Sequence, residues 1–141
     1  MNKCPLGLSL PEGLCPHCDL NNKNHSFVPL ECNNDIYVFY SCPGDAIKYN
    51  DTAGIIRHFD NVLSYYKCYE TYWKWIFDFK GFEFKHSIEI TTAIRLARLI
   101  NNYSNYLLEI KIINTNMFTY SMLQIVKPFL NSDVKNKIVL V

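Results

Sequence analysis

The residues best suited to chemistry are cysteines and histidines in the first third of the chain. Cys15-Pro16-His17-Cys18 has the C-x-x-C spacing that lets two thiolates from one tight turn bind a single metal ion. Cys4 and Cys32 are expected to complete a tetrahedral four-cysteine site, with His17 or His25 as a substitute for one thiolate. The pattern predicts structural zinc, which would also order a segment too irregular to have a core of its own.

Two other interpretations of the cysteines stay open. Redox chemistry of the thioredoxin type also uses C-x-x-C, but there the pair begins a helix directly after a strand, and this Pro- and Asn-rich context offers no such strand. Free, reduced thiols are the remaining interpretation, because no uninterrupted apolar stretch at the N-terminus indicates export. Cys42 and Cys68 are assigned to this last class.

Composition and missing motifs argue against several function classes. The formal net charge is +1 and no basic cluster accompanies the aromatic residues, so nucleic-acid binding is not predicted. There is no Gly-rich phosphate loop and no G-x-S-x-G motif, and His58 and His86 are isolated, with His58 assigned to a solvated helix surface. No catalysis is therefore predicted.

The expected location is cytoplasmic, with at most peripheral contact to membranes, since no window has the roughly 18 uninterrupted apolar residues of a membrane-spanning helix. Heavy use of Asn, Ile, Lys and Tyr is typical of an AT-rich genome such as that of a protist or a large DNA virus.

The elements that must position these residues follow an irregular Cys-containing segment, residues 1–34, that is rich in Pro, Gly and Asn. From residue 35 to residue 141 strand and helix patterns alternate, which predicts one α/β domain with right-handed crossovers and a mainly parallel sheet. The strand at 72–79 is so continuously apolar that both of its faces are expected to be covered. The predicted strands are 36–40, 72–79, 107–113 and 137–141, and the predicted helices begin at Asp51–Thr52, Ser87 and Phe118.

An ordered set of motifs lies within this alternating pattern. An apolar strand ends in Asp78-Phe79-Lys80-Gly81, a long helix follows, and the next strand ends in Ile113-Asn114. A further helix leads to Lys127-Pro128-Phe129-Leu130 and then to a strand that begins at Lys137-Ile138. This set, covering roughly residues 34–141, resembles the CRAL-TRIO family of lipid-binding domains.

The resemblance implies a sheet and flanking helices that enclose an apolar cavity for one lipid, such as a phospholipid, or another hydrophobic molecule. Its activity would be binding and possible lipid transfer, without bond making. Asp78 is expected to fix its turn and not to contact the ligand. The side chains expected to bind the ligand lie on the strand at 72–79 and on the two helices that follow it: Trp73, Trp75, Phe77, Ile94, Phe118 and Met122.

Compared with the family pattern, the chain is expected to lack a C-terminal helix that acts as a gate over the pocket. A pocket without this helix would expose apolar surface, so the remaining helices, a protein partner or a second copy of the chain are expected to cover it. The alternative function is a protein-interaction scaffold that keeps the fold without binding lipid, as in relatives that bind small GTPases.

Overall fold

A five-stranded sheet forms the centre of the computed structural model, which describes residue 4 and residues 6–141. The strands lie side by side in chain order. The second to the fifth are parallel, and the first is antiparallel to the second. The α/β class with a mainly parallel sheet is thereby confirmed. The strands are β1 Val28–Asn33, β2 Ile36–Ser41, β3 Tyr72–Asp78, β4 Leu107–Ile113 and β5 Ile138–Leu140.

The helices are α1 Pro16–Leu20, α2 Thr52–Cys68, α3 Phe84–Ser87, α4 Ile90–Asn101, α5 Met117–Val126 and α6 Ser132–Lys135. Helix α2 begins where the sequence predicts, because the Asp51 side chain accepts a hydrogen bond from the Gly54 backbone N–H. The predicted helix start at Ser87 is wrong, since Ser87 ends the short helix α3 and α4 begins at Ile90. Short 3-10 turns lie at Pro43–Asp45, Ser104–Tyr106 and Lys127–Phe129.

The long helices all pack on one face of the sheet. Each crossover leads to the next strand in the same direction, and crossovers of one hand then place α2, α4 and α5 on the same side. On β3 this covered face carries Trp73 and Trp75, both buried, whereas Lys74 and Ile76 on the opposite face are partly exposed. The expectation that β3 is covered on both faces is therefore wrong.

Strand β1 lies inside the segment that the sequence predicts to be irregular. It forms a hairpin with β2 through Asn34 and Asp35, whose φ angles of 51° and 67° suit a tight two-residue turn. A disulfide joins Cys4 to Cys32 of β1. This bond corrects the expectation that these two cysteines are metal-binding thiolates.

Phe27 connects the N-terminal segment to the rest of the core. Its ring stacks on Phe59 of α2 at 4.0 Å between centroids and on Phe39 of β2 at 4.9 Å. All three side chains are almost fully buried. The segment that precedes β1 is thus held against α2, which determines the position of His58 one residue before Phe59.

Candidate functional site

An apolar cavity of about 160 Å³ lies between the covered face of the sheet and the helices α2, α4 and α5. Its floor consists of side chains from three adjacent strands, which share one face because their positions pair in register. The helices contribute mainly small and aliphatic side chains. The floor residues are Trp75, Phe77, Ile110, Ile112 and Ile138, and the helical wall includes Ile55, Phe59, Ala93, Leu96, Ala97, Ile100, Met122, Leu123 and Val126.

Several polar groups in the lining are already bonded within the protein. Ser41 Oγ accepts a hydrogen bond from the Trp75 indole N–H at 2.9 Å, and the hydroxyls of Thr92 and Thr52 are 2.5 Å apart. The cavity is therefore mainly a hydrophobic site, in the manner of most small-molecule pockets.

A few polar side chains converge at the end of the cavity near α3. His86 Nδ1 accepts a hydrogen bond from the Glu83 backbone N–H at 2.9 Å, and its ring lies 4.7 Å from that of Tyr49. Burial lowers the pKa of His86, so its ring is neutral at neutral pH and carries its proton on Nε2. Together with Glu89, these groups offer a donor and an acceptor for a polar end of a ligand.

The cavity brings together some of the residues that the sequence nominates and leaves out others. Trp75, Phe77 and Met122 line it. Trp73 is buried in the core beside Phe39, with ring centroids 5.8 Å apart, and belongs to no part of the described lining. Ile94 and Phe118 also lie outside the described lining.

Sequence reasoning missed much of the lining, including Ile110, Ile112, Ala93, Leu96 and Ala97. Helical and strand periodicity identify the face of an element that points inward, but a side chain packed in the core and one beside a cavity give the same pattern. The apolar stripe of the helix after residue 87 was the available sequence signal for these lining residues, but it could not show that a cavity lies beside them.

Asp78 holds together the carboxyl ends of three strands. Its carboxylate accepts hydrogen bonds from Tyr40 Oη at 2.6 Å, from Asn114 Nδ2 at 2.9 Å and from the Lys80 backbone N–H at 2.9 Å. Burial acts to raise the pKa of Asp78, but these hydrogen bonds outweigh it and hold the pKa below its ordinary value. The expected turn role of Asp78 agrees with this geometry.

A second site lies where Cys15, Cys18, His25 and His58 meet, and of these four residues His25 also belongs to the cavity lining. One potential ligand atom from each residue lies within 4.8 Å of all the others, which is close enough to bind a metal ion. His25 Nδ1 is 3.2 Å from Cys15 Sγ and 3.5 Å from Cys18 Sγ.

The predicted four-cysteine set needs correction at two positions. Cys4 and Cys32 are bonded to each other, and a disulfide sulfur cannot serve as a thiolate ligand. His58, assigned from the sequence to a solvated surface, is fully buried and takes part in the cluster. His17 is exposed and lies outside it.

Local structure explains how the two thiols converge. Cys15 is the N-cap of α1 and Cys18 lies in its first turn, so both sulfurs reach the same side. Asn61 of α2 donates a hydrogen bond to the Leu14 carbonyl at 2.7 Å, which holds this turn against the helix that carries His58. Burial raises the pKa of Cys18 to about 12 and lowers the pKa of His58, so in the absence of a cation both side chains are neutral at neutral pH.

An apolar cavity between a sheet and its helices has the shape and lining that small-molecule pockets usually have. A family model described as the CRAL/TRIO domain matches residues 52–141, well over half of the chain. The chain therefore belongs to the CRAL/TRIO domain family, a family of lipid-binding and lipid-transfer proteins, and the resemblance noted from its motifs is confirmed.

Solved structures support the same fold. Among 18 matching chains is the crystal structure of Sfh5, with a TM-score of 0.64 and 12% sequence identity. The similarity covers 88% of this chain and 54% of that one, so the chain spans about half the length of Sfh5. No curated protein matches the chain by sequence. Within the described residues, no helix is both long enough and apolar enough to cross a membrane.

Proposed function

We propose that this domain binds one lipid or other hydrophobic molecule in the cavity between its sheet and helices, and exchanges it without catalysis. The cavity carries the proposal. Protein interiors are normally packed as densely as organic crystals, so an apolar space of about 160 Å³ between sheet and helices is unusual. A bound apolar molecule would cover apolar walls that otherwise meet water, which is favourable.

The dimensions and polarity of the cavity favour a particular shape of ligand. A dry apolar cavity of about 150 Å³ is large enough for benzene, so the space as it stands accepts a ring or the end of one acyl chain. The polar groups of Tyr49, His86 and Glu89 lie at one end. We infer a ligand with an apolar body and one polar end, and a two-chain phospholipid would require α4 and α5 to move apart.

The alternative function, an interaction scaffold without lipid, would be favoured by side chains that fill the same space. The apolar lining and the open volume support the binding function instead. A protein partner over the pocket and peripheral contact with a membrane remain predictions.

A pair of variants on one helix tests the proposal. Ala93 lines the cavity, whereas Thr91, two residues earlier on α4, is exposed. Ala93→Phe fills empty volume, so it should fold with equal or higher stability and bind an environment-sensitive fluorescent fatty acid at least tenfold more weakly. Thr91→Phe adds a ring of the same size outside the cavity and should bind the probe like the wild type.

Native mass spectrometry with denaturing lipid extraction gives an independent result on the same samples. Excess mass that extracts as lipid is expected from the wild type and from Thr91→Phe but not from Ala93→Phe. Equal lipid recovery from all three proteins would place the ligand elsewhere. A bare wild-type mass, together with no probe binding, would overturn the lipid function in favour of the scaffold.

A further inference from the structure

His58 has one ring nitrogen that is unpaired within the described part of the chain. Its side chain is fully buried, and Nε2 lies 2.8 Å from the Phe27 carbonyl oxygen. A carbonyl oxygen only accepts hydrogen bonds, so Nε2 carries the proton and Nδ1 carries a lone pair. A buried polar atom without a partner is destabilising, so this Nδ1 calls for a partner such as an ion.

The partner that fits a lone pair in this position is a cation, because the neighbouring atoms are two thiols and another imidazole nitrogen. In a tetrahedral zinc site with bonds of about 2.3 Å to sulfur and 2.0–2.1 Å to nitrogen, neighbouring ligand atoms lie about 3.3–3.8 Å apart. The distances from His25 Nδ1 to the sulfurs of Cys15 and Cys18, 3.2 Å and 3.5 Å, are close to that range.

Both histidines are also oriented as metal ligands usually are. His25 Nε2 is bonded to Asp51 Oδ2 at 2.8 Å, which leaves Nδ1 facing the sulfurs, and His58 uses a backbone carbonyl in the same way. Such outer hydrogen bonds to a carboxylate or a carbonyl fix the tautomer of ligating histidines. Residue 54 is glycine where a Cβ atom would collide with the Asp51 carboxylate and lie 2.8 Å from His25 Nε2.

We propose that Cys15, Cys18, His25 and His58 bind one zinc ion, with both histidines coordinating through Nδ1. Two thiolates and two imidazoles form a closed tetrahedral set, which is typical of a structural and not a catalytic zinc. The ion would fasten residues 15–25, which include the short helix α1, to helix α2.

Metal content and cobalt spectroscopy of the full chain test the site. The protein is purified without chelator or thiol reductant, and zinc is quantified by elemental mass spectrometry after dialysis. One zinc per chain is expected. Replacement by Co²⁺ should give the strong visible absorption of tetrahedral cobalt, with a thiolate-to-cobalt charge-transfer band in the ultraviolet.

Matched variants separate the ligands from their neighbours. Cys18→Ser, at a half-buried position, and His58→Gln should weaken zinc affinity at least tenfold. The exposed residues Cys68 and His17 provide controls, and Cys68→Ser and His17→Gln should retain one zinc. If His58→Gln does not fold, Cys18→Ser still tests whether zinc affinity is lost, and circular dichroism checks that each variant is folded.

Three outcomes would overturn the proposal: folded wild-type protein that takes up no zinc even when zinc is added, undiminished binding by Cys18→Ser, or a native mass that requires a Cys15–Cys18 disulfide. None of these depends on whether lipid occupies the cavity, so failure of the zinc site and failure of the proposed function are distinguishable.

Discussion

At the scale of single residues, Asp78 shows how one carboxylate fixes a turn through hydrogen bonds within the protein. Three donors from β2, from the turn after β3 and from the loop after β4 converge on its carboxylate. Charge-assisted bonds of this kind are stronger than neutral ones. The motif Asp-x-x-Gly therefore fixes where β3 ends, and with it the position of Phe79 and Phe82 in the cavity lining.

Asp78→Asn is expected to lower the free energy of unfolding by about 1–3 kcal/mol at pH 7, because a neutral amide loses charge-assisted acceptance and directs an N–H group at a donor. The difference should depend on pH. The folded-state pKa of Asp78 is lowered, so the stability that its charge contributes is present above the unfolded pKa of about 3.9 and is lost as pH falls through the folded pKa.

Urea unfolding of wild type and Asp78→Asn from pH 7 down to pH 3 measures this effect. The gap between the two proteins should narrow below about pH 4. Glu31→Gln, which neutralises an exposed carboxylate on β1, should follow the wild type throughout. A gap that stays constant with pH would mean that the charge of Asp78 is not what stabilises the turn.

The cluster of Cys15, Cys18, His25 and His58 shows the limit of prediction from residue types and spacing. The C-x-x-C spacing correctly indicates that Cys15 and Cys18 share one turn, because that geometry is local. The partner His58 is 40 residues beyond Cys18, and its proximity depends on the packing of α2 against Phe27. Sequence spacing carries no information on such tertiary packing. Cys4 and Cys32 were therefore chosen as the other two ligands because they are nearer to Cys15 and Cys18 in the sequence, and this choice was wrong.

At the scale of elements, Asn116 connects the start of α5 to the turn that precedes α3. Its Oδ1 accepts hydrogen bonds from the backbone N–H groups of Phe118 and Thr119, while its Nδ2 donates to the Phe82 carbonyl at 2.9 Å. One side chain thus both caps a helix and positions a residue of the cavity lining.

Asn116→Ala should lower the free energy of unfolding by about 1–2 kcal/mol through loss of the cap, with a further loss from the unpaired Phe82 carbonyl. Asn116→Asp keeps the capping oxygen but loses the donor, so it should retain the helix while placing a carboxylate beside a carbonyl. Chemical denaturation measures the stability of both, and ligand affinity should fall in both if Phe82 shifts.

Asn22→Ala, at an exposed position in the N-terminal segment, is the control and should change stability by less than about 0.5 kcal/mol. Equal stability of Asn116→Ala and wild type would contradict the capping role. Wild-type stability of Asn116→Asp combined with lost ligand binding would assign the second role to Nδ2 alone.

The strands and helices were predicted correctly where their local sequence patterns are strong. The predictions failed where strand pairing or a short turn determines the conformation. Strands β2 to β5 and the start of α2 follow from apolar runs and one capping aspartate. Strand β1 has Pro29 and a bulge beside Glu31, and its extended conformation depends on pairing with β2. The start of α4 was mistaken because Ser87, a good capping residue, instead bonds back to the Phe84 carbonyl.

At the scale of the whole molecule, the arrangement of the crossovers determines which face of β3 points toward the cavity. Because all the long helices lie on one side of the sheet, Trp75 points toward the cavity and Lys74 lies on the open face of the sheet. The sequence alone shows that alternate residues of β3 lie on opposite faces of the sheet, but it does not show which of the two faces the helices cover. The sequence also gives no cavity volume, because a cavity is the space that side chains from several separate strands and helices leave between them.

An exposed apolar surface lies next to the polar end of the cavity. Phe84 and Ile88 near α3 and Met117 and Tyr120 on α5 are all more than half exposed, and α3 also carries His86 of the lining. A domain that exchanges lipid must bring the cavity to a bilayer, and large apolar side chains at its entrance favour insertion into the interface. The proposed function therefore predicts that these residues increase the rate of transfer without contributing to affinity.

The double variant Phe84→Ser and Met117→Ser should transfer a fluorescent lipid between vesicles several-fold more slowly, because two exposed apolar side chains no longer enter the bilayer. Its equilibrium affinity for the probe should equal that of the wild type, since neither residue belongs to the described lining. Val139→Ser, an exposed position on the opposite face of the sheet, is the control and should leave the transfer rate unchanged. Slower transfer by the control would indicate contact through the open face, and unchanged rates in both would mean that ligand leaves the cavity into water.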